Sequence, residues 1–190
     1  MKKRVFVALD LPADIKSELI QARENINNSF EECPIRWTKA ETWHITLAFL
    51  GMLDEVQVDM AKECVAEVAS LHQNFSVSVE KVIWAPENEM PPKYVWAIVS
   101  LDENLQNLQN DLVQKLDSRG IRLGIEKFVP HITLGRVVQW AFRRIEPTER
   151  PEIEQELNLQ FPVESIDLME SKLGSKHAEY KIIESYPLKN

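Results

Sequence analysis

Two short stretches of this chain carry the same four residues, and the residue types in them can perform acid–base chemistry. His-Ile-Thr-Leu occurs at residues 44–47 and again at residues 131–134. An imidazole is a base when neutral and an acid when protonated, and its unperturbed pKa of about 6.5 allows one of each near neutral pH. Two such rings at one site suit displacement at phosphorus, in which one ring takes a proton from water and the other protonates the leaving oxygen.

Each copy of the motif is predicted to lie in a β-strand, where successive side chains point to opposite faces. His44 and Thr46 are therefore expected on one face, with the isoleucine and leucine of the motif on the other. The second copy repeats this arrangement with His131 and Thr133. The threonine hydroxyls can donate hydrogen bonds to phosphate oxygens that gain charge in a transition state. The duplicated motif predicts one active site built from two halves.

The sequence around the second copy is basic, although the chain as a whole is acidic. Six basic residues and one acidic residue lie between Arg119 and Arg144, while the formal net charge of the chain is −8. This pattern disfavours broad binding of duplex nucleic acid and favours a small anionic ligand or a nucleic-acid end. Arg136 is a candidate phosphate ligand. It follows His131 by five positions, so a regular strand would point it away, and a bulge at Gly135 would bring it back.

Other chemistries fit the sequence less well. Zinc held by the two motif histidines would need a further ligand, and the residue sharing a face with each histidine is threonine, a poor zinc ligand. The chain has only five glycines and no glycine-rich phosphate loop, and no Ser or Cys lies in a recognisable nucleophile motif. We therefore expect no metal and no cofactor. Among the remaining candidates, His72 and His177 are expected on the surface, Trp96 in the core, and Trp140 as a stacking platform for a base.

The elements that would hold the motif strands recur in two halves of the chain. A proline-rich linker at 85–92 separates them, and the repeat predicts a single bilobal domain over 1–190 with lobes at about 1–84 and 93–190. Pseudo-symmetric lobes would place the motif strands side by side, with the polar groups lining a shared cleft. Strands are predicted at 4–11, 35–38, 43–50, 75–84, 93–101, 130–138, 161–171 and 178–186, and helices at 12–28, 54–71, 102–118 and 148–157.

The motifs resemble the paired His-x-Thr-x signatures of the two-histidine phosphoesterase superfamily. RVFVALDLP at 4–12, HITLAFLG at 44–51, PHITLGR at 130–136 and IDLMESKLGSKHAEYKII at 166–183 are similar to the RNA 2′,3′-cyclic phosphodiesterases, once named 2′-5′ RNA ligases. The resemblance covers essentially the whole chain. It implies an α+β fold in which antiparallel sheets with outer helices surround a central cleft. One departure is Gly135, where the family more often has alanine.

The resemblance also implies an activity, which is hydrolysis of an RNA 2′,3′-cyclic phosphate to a 2′-phosphate without metal or cofactor. It implies that His44 protonates the departing 3′ oxygen, that His131 activates water, and that Thr46, Thr133 and Arg136 hold the phosphate. Nothing in the sequence itself decides which histidine is the acid. The family's ATP-independent joining of such ends through a 2′-5′ bond would be the same chemistry in reverse.

The expected partner is RNA with a 2′,3′-cyclic phosphate end, such as a tRNA fragment, and not DNA, because the cyclic phosphate requires a 2′ hydroxyl. A small cyclic nucleotide or a 2′-5′ oligonucleotide is the alternative substrate, and an RNA-end binding module without catalysis is the alternative class. No apolar run approaches the roughly 20 residues of a membrane helix, and Asp10 and Pro12 interrupt the apolar run of the N-terminus. We expect a cytoplasmic monomer without membrane contact.

Overall fold

A computed structural model describes residues 2–87, 89–124, 127–150, 152–173 and 178–190. Its strands are β1 (Lys3–Asp10), β2 (Ile35–Trp37), β3 (His44–Leu53), β4 (Phe75–Ala85), β5 (Tyr94–Val99), β6 (His131–Val137), β7 (Glu154–Val163), β8 (Ser165–Leu173) and β9 (Ala178–Pro187). Its helices are α1 (Ala13–Asn28), α2 (Glu55–Ala69), α3 (Glu103–Ser118) and α4 (Gln139–Phe142), and short 3₁₀ turns occur at Ala40–Thr42 and Pro147–Glu149.

The strands form one sheet in the order β7-β4-β5-β6-β3-β1-β8-β9, and β2 pairs with β6. All pairings between these strands are antiparallel. The two motif strands, β3 and β6, are therefore neighbours at the centre of the sheet. The predicted α+β class with antiparallel strands is confirmed.

Strand pairing crosses the predicted division of the chain at 85–92. β4 precedes this stretch but pairs with β5 and β7, which follow it. β8 lies near the end of the chain but pairs with β1 at its beginning. The half of the sheet from β7 to β6 and the half from β3 to β9 thus each contain strands from both parts of the sequence. The lobe boundaries at 1–84 and 93–190 stay a prediction.

The long helices α2 and α3 start at aspartate caps and bury an apolar stripe. The Asp54 carboxylate accepts a hydrogen bond of 2.9 Å from the backbone N–H of Gln57, whose side chain accepts one from the Asp54 N–H at 3.1 Å. This reciprocal capping box fixes the start of α2. The α3 stripe is fully buried, and α2 and α3 pack against each other and against β3. The stripe consists of Leu105, Leu108, Leu112 and Leu116.

Two predicted elements near the end of the chain are wrong. The helix expected over 148–157 is absent from the described part of this stretch, and β7 begins at Glu154. Exposure alternates along β7, because it pairs with β4 and only one of its faces meets the core. The strand expected over 161–171 is split at Glu164, where the chain leaves β4 and continues beside β1. None of the described helices combines the length and hydropathy that crossing a bilayer requires.

Candidate active site

The motif strands meet at the centre of the sheet through the isoleucines of the two motifs. Ile45 and Ile132 are opposite each other in the antiparallel pairing of β3 and β6, and both are fully buried. The residues on either side of each isoleucine point to the opposite face of the sheet from the isoleucines. They are His44, Thr46, His131 and Thr133, and all four are half-buried. The structure therefore brings the four polar side chains to one face of two neighbouring strands, while their roles stay predictions.

Each histidine ring is anchored to the backbone two residues before it. His44 Nδ1 lies 2.7 Å from the carbonyl oxygen of Thr42, and His131 Nδ1 lies 2.7 Å from that of Val129. A carbonyl can only accept, so Nδ1 carries a proton in both rings. Nε2 of each ring is then the atom free to take up or release a proton. In His44, Nε2 lies 3.1 Å from the Thr46 hydroxyl.

The two imidazoles differ in the charges around them. Burial lowers the pKa of His44, the Thr42 carbonyl and the Asp10 carboxylate oppose this by raising it, and charge on His131 and Lys16 lowers it further. Burial also lowers the pKa of His131, and only the hydrogen bond to Val129 opposes it. His44 thus has a nearby carboxylate that favours its protonated form, and positive charge on His131 disfavours that form.

Arg136 shares the face of the motif threonine because β6 contains a bulge. Trp96 of β5 is opposite Thr133, but the preceding residue, Val95, is opposite Gly135, so Leu134 is the extra residue. The next pair is Tyr94 with Arg136, and the Arg136 guanidinium carbon lies 5.9 Å from the Tyr94 ring centre. The bulge reverses the alternation of side chains and turns Arg136 to the histidine face.

The same bulge occurs in β3, where Leu47 is the extra residue between two consecutive pairs with β1. As a result, Phe49 occupies in β3 the position that Arg136 occupies in β6, and the two strands begin with the same pattern of buried and exposed residues. Phe49 is 67% exposed. The two halves of the site therefore differ at equivalent positions, with an aromatic ring on one side and a cation on the other.

Gly135 is required by the close approach of β2. A Cβ atom at this position would lie 2.6 Å from Ile35 Cγ2 and 3.0 Å from Trp37 Cε3. Contacts this short force neighbouring side chains to move. The departure from the alanine expected of the family thus matches the packing of β2 in this chain.

Aromatic side chains surround both histidines, and the sequence patterns contained little sign of this. Trp96 was expected in the core, which is wrong: its ring stacks on His131 with 3.7 Å between ring centres and 19° between planes. Phe6 and Tyr180 lie 4.9 Å and 5.1 Å from the His44 ring centre. These ring contacts, together with the hydrogen bonds at Nδ1, restrict the orientation of each imidazole.

The other candidates lie apart from this cluster or outside the described residues. Trp140 is 63% exposed, with the Arg144 guanidinium carbon 5.0 Å from its ring centre, and its role as a stacking platform stays a prediction. His72 bonds Asp111 at 3.0 Å on the helical side of the fold. His177 lies outside the described residues. In the described part of the chain, no three His, Cys, Asp or Glu side chains are grouped to hold a metal ion.

The family model of LigT-like phosphoesterases matches residues 9–96 and 99–180, which include both motifs. This chain belongs to that family. The match confirms the family expected from the paired motifs and the expected class of enzyme, a hydrolase that acts on phosphodiesters. It covers both halves of the chain, as the repeat of strand and motif predicted.

Relatives and solved structures agree with this membership. The RNA 2′,3′-cyclic phosphodiesterase of Thermotoga maritima is 32% identical over 70% of this LigT-like chain and 70% of its own length. That of Methanocaldococcus jannaschii is 27% identical over 96% of this chain and 99% of its own. A Thermus thermophilus protein superposes with a TM-score of 0.83 at 24% identity, over 98% of both chains. Escherichia coli LigT with 3′-AMP gives 0.81 at 22% identity, over the whole of both chains, and these two structures support the fold alone.

Proposed function

We propose that this protein hydrolyses RNA 2′,3′-cyclic phosphate ends to 2′-phosphates by metal-independent catalysis with two histidines. The observation that carries the proposal is the pairing of Ile45 with Ile132, which sets both His-x-Thr pairs on one face. The names of the relatives supply the substrate class. The protonated Nδ1 atoms leave two Nε2 atoms available for one acid and one base.

In the proposed reaction, His131 Nε2 takes a proton from water as the water oxygen attacks phosphorus. The bond from phosphorus to the 3′ oxygen breaks, and His44 Nε2 donates its proton to that oxygen. The product has a 2′-phosphate and a free 3′ hydroxyl, so atoms and charge balance. Thr46, Thr133 and Arg136 hold the non-bridging oxygens, where negative charge increases in the transition state.

The surroundings of the two rings support this assignment of acid and base. A general acid must be protonated before the reaction. Burial lowers the pKa of His44, and the Asp10 carboxylate opposes part of this shift, which favours protonation of His44. Asp10 lies directly opposite His44 in the pairing of β1 and β3, and the equivalent position opposite His131 is Ile98. Among the residues that the structure describes, the residue opposite the histidine is a carboxylate in one half of the site only, and we assign the role of base to the other histidine.

The experiment that tests the function uses an oligoribonucleotide with a 2′,3′-cyclic phosphate end. We expect a single product with a 2′-phosphate, formed at the same rate with and without EDTA. The same oligonucleotide with a 3′-phosphate serves as the control substrate and should remain unchanged. A 3′-phosphate product would contradict the proposed roles, and loss of turnover in EDTA would contradict metal independence.

The same geometry supports a ligase activity in which the 5′ hydroxyl of a second RNA replaces water. His131 would take the proton of that hydroxyl, and the new bond would be a 2′-5′ phosphodiester. Water is far more concentrated than any RNA end, so hydrolysis is the main reaction. The predicted cytoplasmic location and monomeric state are part of the proposal.

Substitution of Asp10 by asparagine is expected to move only one limb of the pH–rate profile. Activity is lost on the alkaline side as the acid, His44, loses its proton, and on the acidic side as the base gains one. Because Asp10 raises the pKa of His44, the Asp10→Asn variant should lose activity at lower pH on the alkaline side. The acidic limb should stay where it is.

The profile of kcat/KM against pH measures this effect, and Asp59→Asn is a matched control. Asp59 lies on α2 and pairs with Lys62 at 3.2 Å, so its variant should leave both limbs unchanged. Lys16 pairs with Asp10 at 2.8 Å and lowers the pKa of His44 in the wild type, so the variant removes only the opposing carboxylate. Movement of the acidic limb instead would show that His44 is the base.

A further inference from the structure

Two arginines face each other on neighbouring strands beside the candidate active site. Arg36 of β2 is directly opposite Arg136 of β6. Opposite residues of an antiparallel pair project to the same face, with their Cα atoms about 5 Å apart. Since the bulge at Leu134 turns Arg136 to the histidine face, Arg36 lies on that face as well. Both arginines are exposed.

This arrangement costs stability, because like charges directly opposite each other in a sheet repel. Among the residues that the structure describes, no carboxylate lies within ion-pairing distance of either arginine. Some cations elsewhere do have partners, such as the half-buried Lys81 with Glu154 at 2.9 Å and the exposed Arg119 with Glu63 at 3.8 Å. The Tyr94 ring beside Arg136 is neutral and leaves both positive charges in place, whereas a bound anion would remove the repulsion.

The position of Arg36 indicates which anion this is. In the proposed function the histidines, the threonines and Arg136 contact the reacting phosphate, and Arg136 is the next residue after Thr133 along β6 on their face. Arg36 lies on β2, which pairs with one edge of β6, while Tyr94 lies on β5, which pairs with the other edge. Arg36 is therefore one strand further from Thr133 than Arg136 is. A second phosphate joined to the first through one nucleotide would reach it. In RNA, that group is the phosphodiester on the 5′ side of the terminal nucleotide.

We infer that Arg36, which lies beside Arg136, binds the phosphodiester preceding the cyclic end and makes the protein selective for RNA chains over nucleoside 2′,3′-cyclic phosphates. This inference rests on the proposed function. Arg36 acts on substrate selection and makes no contact with the reacting atoms. Its removal should therefore change KM for a chain and leave kcat within about twofold, as expected for binding that is equal in ground and transition states.

The test compares a dinucleotide that ends in 2′,3′-cyclic phosphate with the corresponding nucleoside 2′,3′-cyclic phosphate, which lacks the second phosphate. The wild-type protein should have a KM roughly tenfold lower for the dinucleotide, the size of one charge-assisted hydrogen bond. The Arg36→Ala variant should lose this preference and keep its KM for the nucleoside substrate. The salt dependence of dinucleotide product binding should weaken by about 0.7 in log–log slope.

Arg119→Ala is the matched control, because it removes the same charge at the end of α3 and should keep the preference for the dinucleotide. The melting temperature of Arg36→Ala should be unchanged or raised, since the variant removes a repulsion and breaks no ion pair with any of the described residues. Equal KM values for the two substrates in the wild type, or an equal loss on both in Arg36→Ala, would overturn the inference alone. Turnover of neither substrate by the wild type would overturn the proposed function and this inference with it.

Discussion

Replacing His131 with alanine is expected to lower kcat on a cyclic-ended oligonucleotide by roughly 10²–10⁴-fold, the usual contribution of a general base. Its Nε2 atom is the group proposed to take the proton from water, and the neighbouring Trp96 ring has no basic nitrogen to replace it. His44→Ala should cause a loss of similar size, because the 3′ oxygen would then depart without a proton. Single-turnover rates measured at the pH optimum of the wild type give both values.

A substrate with a good leaving group separates the two roles. An aryl phosphodiester that releases p-nitrophenolate needs no general acid, so His44→Ala should recover most of the wild-type rate on it. His131→Ala should stay slow on the same substrate, because the attacking water still needs a base. Recovery by His131→Ala in place of His44→Ala would reverse the assignment.

Two further variants test the histidine pair, namely the double variant and a variant of His72. Because the two rings act in one step, His44→Ala combined with His131→Ala should be little slower than the slower single variant. His72→Ala is the matched control, since His72 bonds Asp111 between α2 and α3 and should keep full activity. Near wild-type turnover in either single active-site variant would exclude catalysis by the histidine pair.

The face of the four motif side chains could be predicted from sequence because it depends only on local geometry. In a strand, His and Thr two positions apart share a face whatever the neighbours are. The duplication then indicated that two such strands come together. Their contact through Ile45 and Ile132 is the simplest arrangement that buries the apolar residues of both motifs.

The face on which Arg136 lies could not be predicted from strand periodicity, because it depends on a β-bulge. An offset of five from His131 predicts opposite faces, and the bulge at Leu134 changes this because two successive residues of β6 are buried. Gly135 was a correct hint of irregular pairing, but the extra residue is its neighbour. The glycine itself is explained by β2, which leaves no room for a Cβ atom at Gly135.

Long-range pairing accounts for the other differences. A helix was predicted over 148–157, yet β7 forms from Glu154 onward because β4 pairs with it. Trp96 was placed in the core by its apolar neighbours, although its alternate position faces His131. Nothing in the sequence indicated a role for Arg36, since the inference about it depends on its pairing with Arg136 of β6.

Substitution of Thr133 by valine is expected to lower kcat by about 10²–10³-fold, the effect of removing one donor to developing negative charge. Valine has the shape and strand preference of threonine, so only the hydroxyl is lost. The backbone here is held independently of this side chain, because the Thr38 hydroxyl lies 2.9 Å and 2.8 Å from the carbonyl oxygens of Thr133 and Leu134, to which it donates. The fold should therefore survive the change.

Thr133→Ser is the matched control, because it keeps the hydroxyl and should retain most of the activity, while KM should change little in either variant. Thr46→Val should show a similar loss with one addition. The Thr46 hydroxyl also contacts His44 Nε2 at 3.1 Å, so this variant should also alter the alkaline limb of the pH–rate profile, which reports on His44. If Thr133→Val kept its kcat and only raised KM, the hydroxyl would serve ground-state binding, and stabilisation of the transition state would fall to Arg136 and the backbone.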